Sequence, residues 1–411
     1  MPARAVLSLL LLVTAGCSHA TNNWSWRRPV QHDQVALPAP PAPRPGTAAL
    51  AEAGTRRPVL AGPPSYRYGA RFEPPDGRML QGLGSWSDGH DEDLAALGEP
   101  AEESAAALFS LSIGDWLRPW ESQVERLREQ MLAQARLGRV LQLEIELKGI
   151  DRETRADIPL DVEVARGDGH DDHLRDLARV VRDAAAPTFV RIGFEFPGDW
   201  SYTPIEYPRA FRHVVELFRE EGVENAAFVW CWGSSAPGDF DQREQDAWRW
   251  YPGDDVVDWF GIDLFDPVAF AAAPEYGKRS AKLENTLHFL DMAQQHGKPV
   301  MVSECSAVLV DITPDEQDGR RDWDAWFEPF FAFLAENPGI KAFQYCNTTW
   351  KAGQDGDIAH NALIAARYAR EMEDPLYLHR ADLHLLRGWP VGAPSAAATT
   401  VRAPGAGAPT P

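Results

Sequence analysis

The sequence predicts a single (β/α)8 barrel of the α/β class, and three observations lead there. Short β-rich runs alternate with amphipathic helical stretches from Met79 to Met372, and the runs number eight. No Gly-rich phosphate loop follows the first run, as an open doubly wound sheet would suggest. The span of residues 62–390 also suits the fold, whose typical length is ~250 residues with insertions common.

The first run, 79–86, precedes an acidic loop at 88–93. The second, 105–113, leads into a helix with Val124, Leu127, Met131 and Ala135 at helical spacing, stopped by Gly138. The third, 140–147, puts Glu144, Glu146 and Lys148 on one face, and a helix over 170–184 follows. The fourth, 188–196, has a helix after it with Phe211, Val214, Val215 and Phe218, ending at Gly222. The fifth is 226–232, and the sixth, 257–264, is introduced by a turn at 250–255. A helix over 283–296 leads to the seventh, which ends at Glu304. A helix rich in aromatics (Trp323, Trp326, Phe327, Phe330, Phe331) precedes the eighth, 340–346, and a last helix over 358–372 closes the cycle.

Outside that domain the composition changes. Residues 1–17 carry one arginine, an apolar run over 5–13 and small residues before Cys17, which reads as an export signal. The run is shorter than the ~20 residues of a membrane-spanning helix. The ending resembles the bacterial lipoprotein signal, with Cys17 lipidated, although Thr14 stands where leucine is usual; an ordinary cleaved signal is the alternative. Residues 18–61 form a Pro/Ala-rich linker and residues 391–411 a second such stretch, both expected to be disordered.

Charge and cysteine usage narrow the partners. With 61 acidic against 40 basic residues the net charge is -21, which argues against nucleic acid and anionic lipid surfaces. Cys231, Cys305 and Cys346, the three cysteines of the domain, make no disulfide framework; buried thiols are the default, with one pair left open. A monomer is expected.

Two strand ends carry the chemistry. With period-two alternation, Arg191, Gly193 and Glu195 share one face at the end of the fourth run, and Glu304 ends the seventh. Either glutamate alone reads more readily as a solvated rim residue. Two carboxylates at one barrel mouth instead suit paired-acid chemistry. Cys305, next in sequence, points to the opposite face.

From Arg191 to Trp350 the sequence resembles the barrel glycoside hydrolases whose acid/base ends strand four and whose nucleophile ends strand seven. More narrowly it resembles glycoside hydrolase family 26, the β-mannanase group, or a close relative of it. The resemblance rests on Glu195 with Asp199 and Trp200, on the segments 228–232 and 250–263, and on Val302, Ser303 and Glu304. It implies Glu195 as acid/base and Glu304 as nucleophile of a retaining hydrolase acting on a β-linked poly- or oligosaccharide, with no cofactor or metal. One departure is Phe194, where the family has histidine, and it turns the expectation away from mannan.

The remaining candidates follow. Trp86, Trp200, Tyr202, Trp230, Trp232, Tyr345 and Trp350 lie at or after strand ends, where rings stack on sugars or fill barrel layers. Asp263 and Asn347 are candidate partners of sugar hydroxyls. Arg191, grouped with the substrate-binding residues, either holds the nucleophile ionised or forms a buried structural pair; Glu146 and Lys148 are read as paired with each other. His170, His173 and their neighbouring aspartates match no metal spacing and suit a helix start. The competing functional class is a catalytically inert carbohydrate-binding lipoprotein on the same scaffold.

Overall fold

The structure, a computed structural model, describes residues 64–84, 104–114, 119–151, 153–154, 156–198, 201–272 and 279–389. The signal, Cys17, the linker, the 391–411 tail, Trp86 and Trp200 lie outside the described residues.

Eight parallel strands form the core: β1 (Met79–Gly84), β2 (Ala106–Ser112), β3 (Val140–Glu146), β4 (Thr188–Ile192), β5 (Ala226–Gly233), β6 (Trp259–Leu264), β7 (Val300–Cys305) and β8 (Ile340–Cys346). They pair in sequence order, and β8 returns to β1 with Leu80 opposite Ala342 and Gly84 opposite Cys346, closing the barrel. Closure leaves the main sheet without an exposed edge at these strands.

Alternation in β3 runs opposite to that of a simple apolar core. Leu141, Leu143 and Ile145 face the helices, while Gln142, Glu144 and Glu146 face the axis: Gln142 donates across the interior to Ser303 O, Glu144 accepts from Arg191, and Glu146 accepts from Ser110. The helices meet the apolar side. Trp120–Arg136 (α1) buries Val124, Leu127 and Met131, after the short Asp161–Arg166 (α2) come Asp171–Ala184 (α3) and Glu206–Glu220 (α4), and Ala281–Gln295 (α5) buries Leu283, Phe289 and Met292. The aromatic helix is composite: Glu316–Asp322 (α6), capped by the Asp315 side chain, passes through a π turn at Trp323–Phe327 into Glu328–Glu336 (α7). Ala362–Met372 (α8) is the last.

One expectation needs correction. The fourth strand stops at Ile192, four residues short of the expected end, because Gly193 and Glu195 adopt left-handed backbone at φ +54° and +55°. The fifth connection, for which the sequence offers only a turn, has no helix: between Gly233 and Trp259 the chain forms a hairpin, Arg243–Glu244 with Ala247–Trp248. Gly, Pro and Asp crowd residues 233–241, and they favour turns over helix.

The end of the barrel where strands begin is plugged. Phe72 meets Phe189 edge-on at 6.0 Å, Phe189 meets Trp259 at 5.0 Å, and the Trp259 indole donates to Arg71 O at 2.8 Å. Both described ends of the chain lie here, joined by Phe72 N to Arg387 O at 2.8 Å and Arg387 N to Glu73 O at 3.0 Å.

Candidate active site

The opposite mouth is built from four neighbouring strand ends. Past β4 the chain needs Gly193, where a Cβ would come within 2.8 Å of the Tyr207 ring. Glu195 then turns inward and rests on β5, its Cβ 3.3 Å from where a side chain on Gly233 would begin. Gly233 is in register with Asp263 on β6, and Asp263 with Glu304 on β7. Glu195, Asp263 and Glu304 therefore follow one another round this mouth.

A bulge sets the aim of Glu304. Met301 is opposite Ala342 and Val302 opposite Phe343, but the next matched pair is Cys305 with Tyr345, so two residues of β7 face one of β8. Strict alternation from inward Met301 would turn Glu304 outward. The extra residue brings it to the axis and leaves Cys305 outside, where its thiol donates to Gln344 O at 3.4 Å.

Arg191 is the hub of this interior. Its Nη1 donates to Glu304 Oε1 at 2.6 Å and to Glu144 Oε1, and its Nη2 donates to Asp263 Oδ2 at 2.5 Å and to Cys231 Sγ at 3.2 Å. Exposure is 0% for Arg191 and Glu144, 1% for Asp263 and 3% for Glu304, so three acids share one cation out of water. Burial pushes the Glu144 and Asp263 carboxyls well above the usual range; Arg191 pulls them back, and the charge of Glu304 adds to the rise. Burial opposes the charged guanidinium, but Asp263, Cys231, Glu144 and Glu304 together hold Arg191 well above its ordinary value. Phe194 covers the group from one side, its ring 4.5 Å from the guanidinium carbon. Glu304 Oε2 is left with Cys346 Sγ at 3.9 Å.

Several sequence candidates land elsewhere. Arg191 and Asp263 bond each other in the interior and do not reach out toward a ligand. Trp230 and Trp232 alternate outward into the helix layer: Trp230 stacks on Phe196 at 4.5 Å and donates to Trp250 O, while Trp232 packs on Phe240 and Phe289 and donates to Pro237 O. Tyr345 is outward too, against Trp326 and Phe327, with its hydroxyl on Gly356 O at 2.8 Å. Tyr202 is buried on Tyr207 at 5.4 Å. These rings stack on protein, leaving no face for a sugar. Asn347 spends its amide on the loop after β8, donating to Asp357 Oδ1 and accepting from Ile358 N, both at 2.9 Å.

Trp350 is half-buried beyond β8 and meets Phe265, beyond β6, edge-on at 4.8 Å. Lys148 and Glu146 pair at 3.2 Å, and both Ser110 and Ser112 donate to Glu146. His170 contacts Glu163, while His173 stacks on Trp120 at 4.0 Å, within the helical layer. Cys231, Cys305 and Cys346 are buried free thiols. Sequence reasoning missed Glu144 as a member of the Arg191 group, although its place on the inward face of the third run with Glu146 was the signal.

Comparison with known proteins identifies the architecture. The model of glycosyl hydrolase family 26 matches residues 167–317, the segment that holds Glu195, Asp263 and Glu304. Over that segment the chain is similar to glycosyl hydrolase family 26. The chain is 28% identical over 237 residues to the beta-1,3-xylanase TXYA of Vibrio sp, covering 50% of this chain and 48% of that protein. It is 26% identical over 258 residues to a beta-1,3-xylanase of Alcaligenes sp, covering 55% and 51%. It thus spans about half the length of the curated relatives it matches. Among solved structures, a modular endo-beta-1,4-mannanase of Cellulomonas fimi superposes with a TM-score of 0.54 at 20% identity, over 78% of this chain and 76% of that one. The catalytic domain of a Bacillus sp. JAMB-750 endo-beta-1,4-mannanase gives 0.54 at 17% identity, over 76% and 89%. At such identity these two establish the shared barrel fold.

Proposed function

We propose that this chain is a retaining glycoside hydrolase acting on a β-linked polysaccharide, with Glu304 as nucleophile and Glu195 as acid/base. Retention requires one carboxylate to attack the anomeric carbon and a second group, ~5 to 5.5 Å away, to protonate the leaving oxygen and then deprotonate water. The observation that carries the reading is the run of Glu195, Gly233, Asp263 and Glu304 around adjacent strand ends, with Arg191 on Glu304 Oε1. Arg191 fixes that oxygen, and Oε2 remains for attack. Glu195 stands two strands away on the same mouth and would serve the leaving group.

As substrate we propose β-1,3-linked xylan ahead of β-mannan. Two features support this: the relatives of higher sequence identity are named for β-1,3-xylan, and Phe194 spends its ring on Arg191 where a polar residue would reach a sugar. Reducing sugar released from a panel of β-1,3-xylan, β-1,4-mannan and β-glucans is expected to favour xylan over unsubstituted mannan by at least about tenfold. Mannan as the best substrate would sink the choice of glycan. No release from any polymer, with binding retained, would leave the inert carbohydrate-binding reading.

We also propose that the protein is exported and acts as a monomer held at a membrane by lipid on Cys17, with 18–61 as spacer; the apolar 5–13 run and the small residues before the cysteine support it. Cys17→Ser should move the protein from the membrane to the soluble fraction of the producing cell. Equal membrane association of the two forms would rule the anchor out.

A further inference from the structure

The Arg191 group holds two carboxylates that the proposed mechanism does not use, Asp263 and Glu144. Glu144 is fully buried on β3, and its Oε1 accepts from Arg191 Nη1 and from Gln142 Nε2 at 3.3 Å. Its Oε2 is buried too, and among the described residues it accepts no hydrogen bond. An ionised carboxylate with an orphaned oxygen is costly in such a place, and three anions around one cation are costlier. A proton on Glu144 relieves both. Glu304 is the acceptor within reach, since the same Nη1 of Arg191 bonds both acids and so holds the two carboxyl groups side by side.

We propose that Glu144 is a positioning residue that stays protonated and donates an O–H···O hydrogen bond to Glu304, so that the nucleophile is held between one charged donor and one neutral donor. The role rests on the two-glutamate reading above. In that chemistry Glu304 is charged in the free enzyme, neutral in the glycosyl-enzyme and charged again as the sugar leaves. A neutral donor beside it favours the charged form, and so favours the second step as a leaving group. Were Glu144 ionised, it would repel the charge it is set beside. The charged and titratable groups facing Glu144 are Arg191 from β4, Asp263 from β6, Glu304 from β7 and Cys346 from β8; Glu146 follows on its own strand. Burial and the charge of Glu304 both act to keep the proton on Glu144, against the pull of Arg191.

The test uses the full chain and has two arms. In the first, infrared spectra of the free protein near neutral pH are compared for wild type, Glu144→Gln and Asp263→Asn. A carboxylic-acid carbonyl band lost in Glu144→Gln and kept in Asp263→Asn is the expected result; identical carbonyl regions in wild type and Glu144→Gln would overturn the proposal. Should Glu144→Gln not fold, carbon-13 NMR titration of glutamate-labelled wild type reads the same protonation without a variant.

In the second arm, kcat/KM is followed against pH on an aryl glycoside with a good leaving group, which needs no proton from Glu195. Glu144→Gln keeps a non-titrating donor, so it should retain at least roughly a tenth of the activity while its alkaline limb moves up by about one pH unit or more. Glu144→Leu, which cannot donate, should lose about a hundredfold or more in kcat. An unmoved alkaline limb with equal losses in both variants would reduce Glu144 to a structural group. If no substrate is turned over at all, the hydrolase reading fails, and the infrared arm still decides the protonation of Glu144.

Discussion

Glu304→Ala is expected to be inactive on every substrate by orders of magnitude, whereas Glu195→Ala should fail selectively. A nucleophile takes part in the first bond change whatever the leaving group, so its loss cannot be bypassed. General acid help is worth roughly 10²–10⁴-fold and matters most for poor leaving groups. Glu195→Ala should therefore lose the polysaccharide, still form a glycosyl-enzyme from an activated aryl glycoside, and then turn over faster with added azide to give a β-configured glycosyl azide. Both variants should fold: removing Glu304 lowers the excess of negative charge around Arg191, and Glu195 lies outside that group. Wild-type rates from Glu304→Ala, or NMR detection of an inverted first product, would dispose of the two-glutamate mechanism.

Arg191→Met should be the most damaging substitution for stability, costing about 3–5 kcal/mol near neutral pH, because it leaves buried acids without their cation. The pH dependence has a definite sign. Glu144 and Asp263 are pushed up by burial, and Arg191 is the influence that pulls them down. A carboxyl raised in the folded state contributes stability that is present below its unfolded-state value and is lost as pH rises through the folded one. Without Arg191 the two folded values climb further, which widens the range over which stability falls. Denaturant melts of both proteins should show the variant's deficit smallest at about pH 5 and largest at about pH 8. A deficit that is constant, or greater in acid, would mean that lost packing of the long side chain, and not charge, dominates.

The eight strands were legible because each is a short run rich in β-branched, aromatic or leucine residues between turn formers. Over the described residues their bounds agree with the structure to within a residue or two, except at strand four. Glu304 and Arg191 stood out as charges inside such runs. Less accessible was anything that depends on breaking the period of two. The left-handed turn at Gly193 and Glu195 and the bulge at Ser303 and Glu304 each re-aim one acid, and no local pattern announces them. The tryptophans of β5 misled for a related reason. In 226–232 both faces are buried, so alternation cannot say whether Trp230 and Trp232 look toward the axis or toward Phe289. Glu144 was visible as an inward acid but not as a partner of Arg191; that required the register which sets the two residues side by side on β3 and β4.

The plug beneath the barrel has a consequence for how the molecule can be attached to anything. Pro64 and Trp389, the outermost described residues, belong to the segments that cross at Phe72 and Arg387, on the side away from Glu195 and Glu304. Whatever is joined to either terminus starts from the back of the molecule, so a surface, a tag or a second module fixed there leaves the carboxylates facing outward. A long polymer could then be approached broadside, with the point of attachment never lying between the protein and its chain.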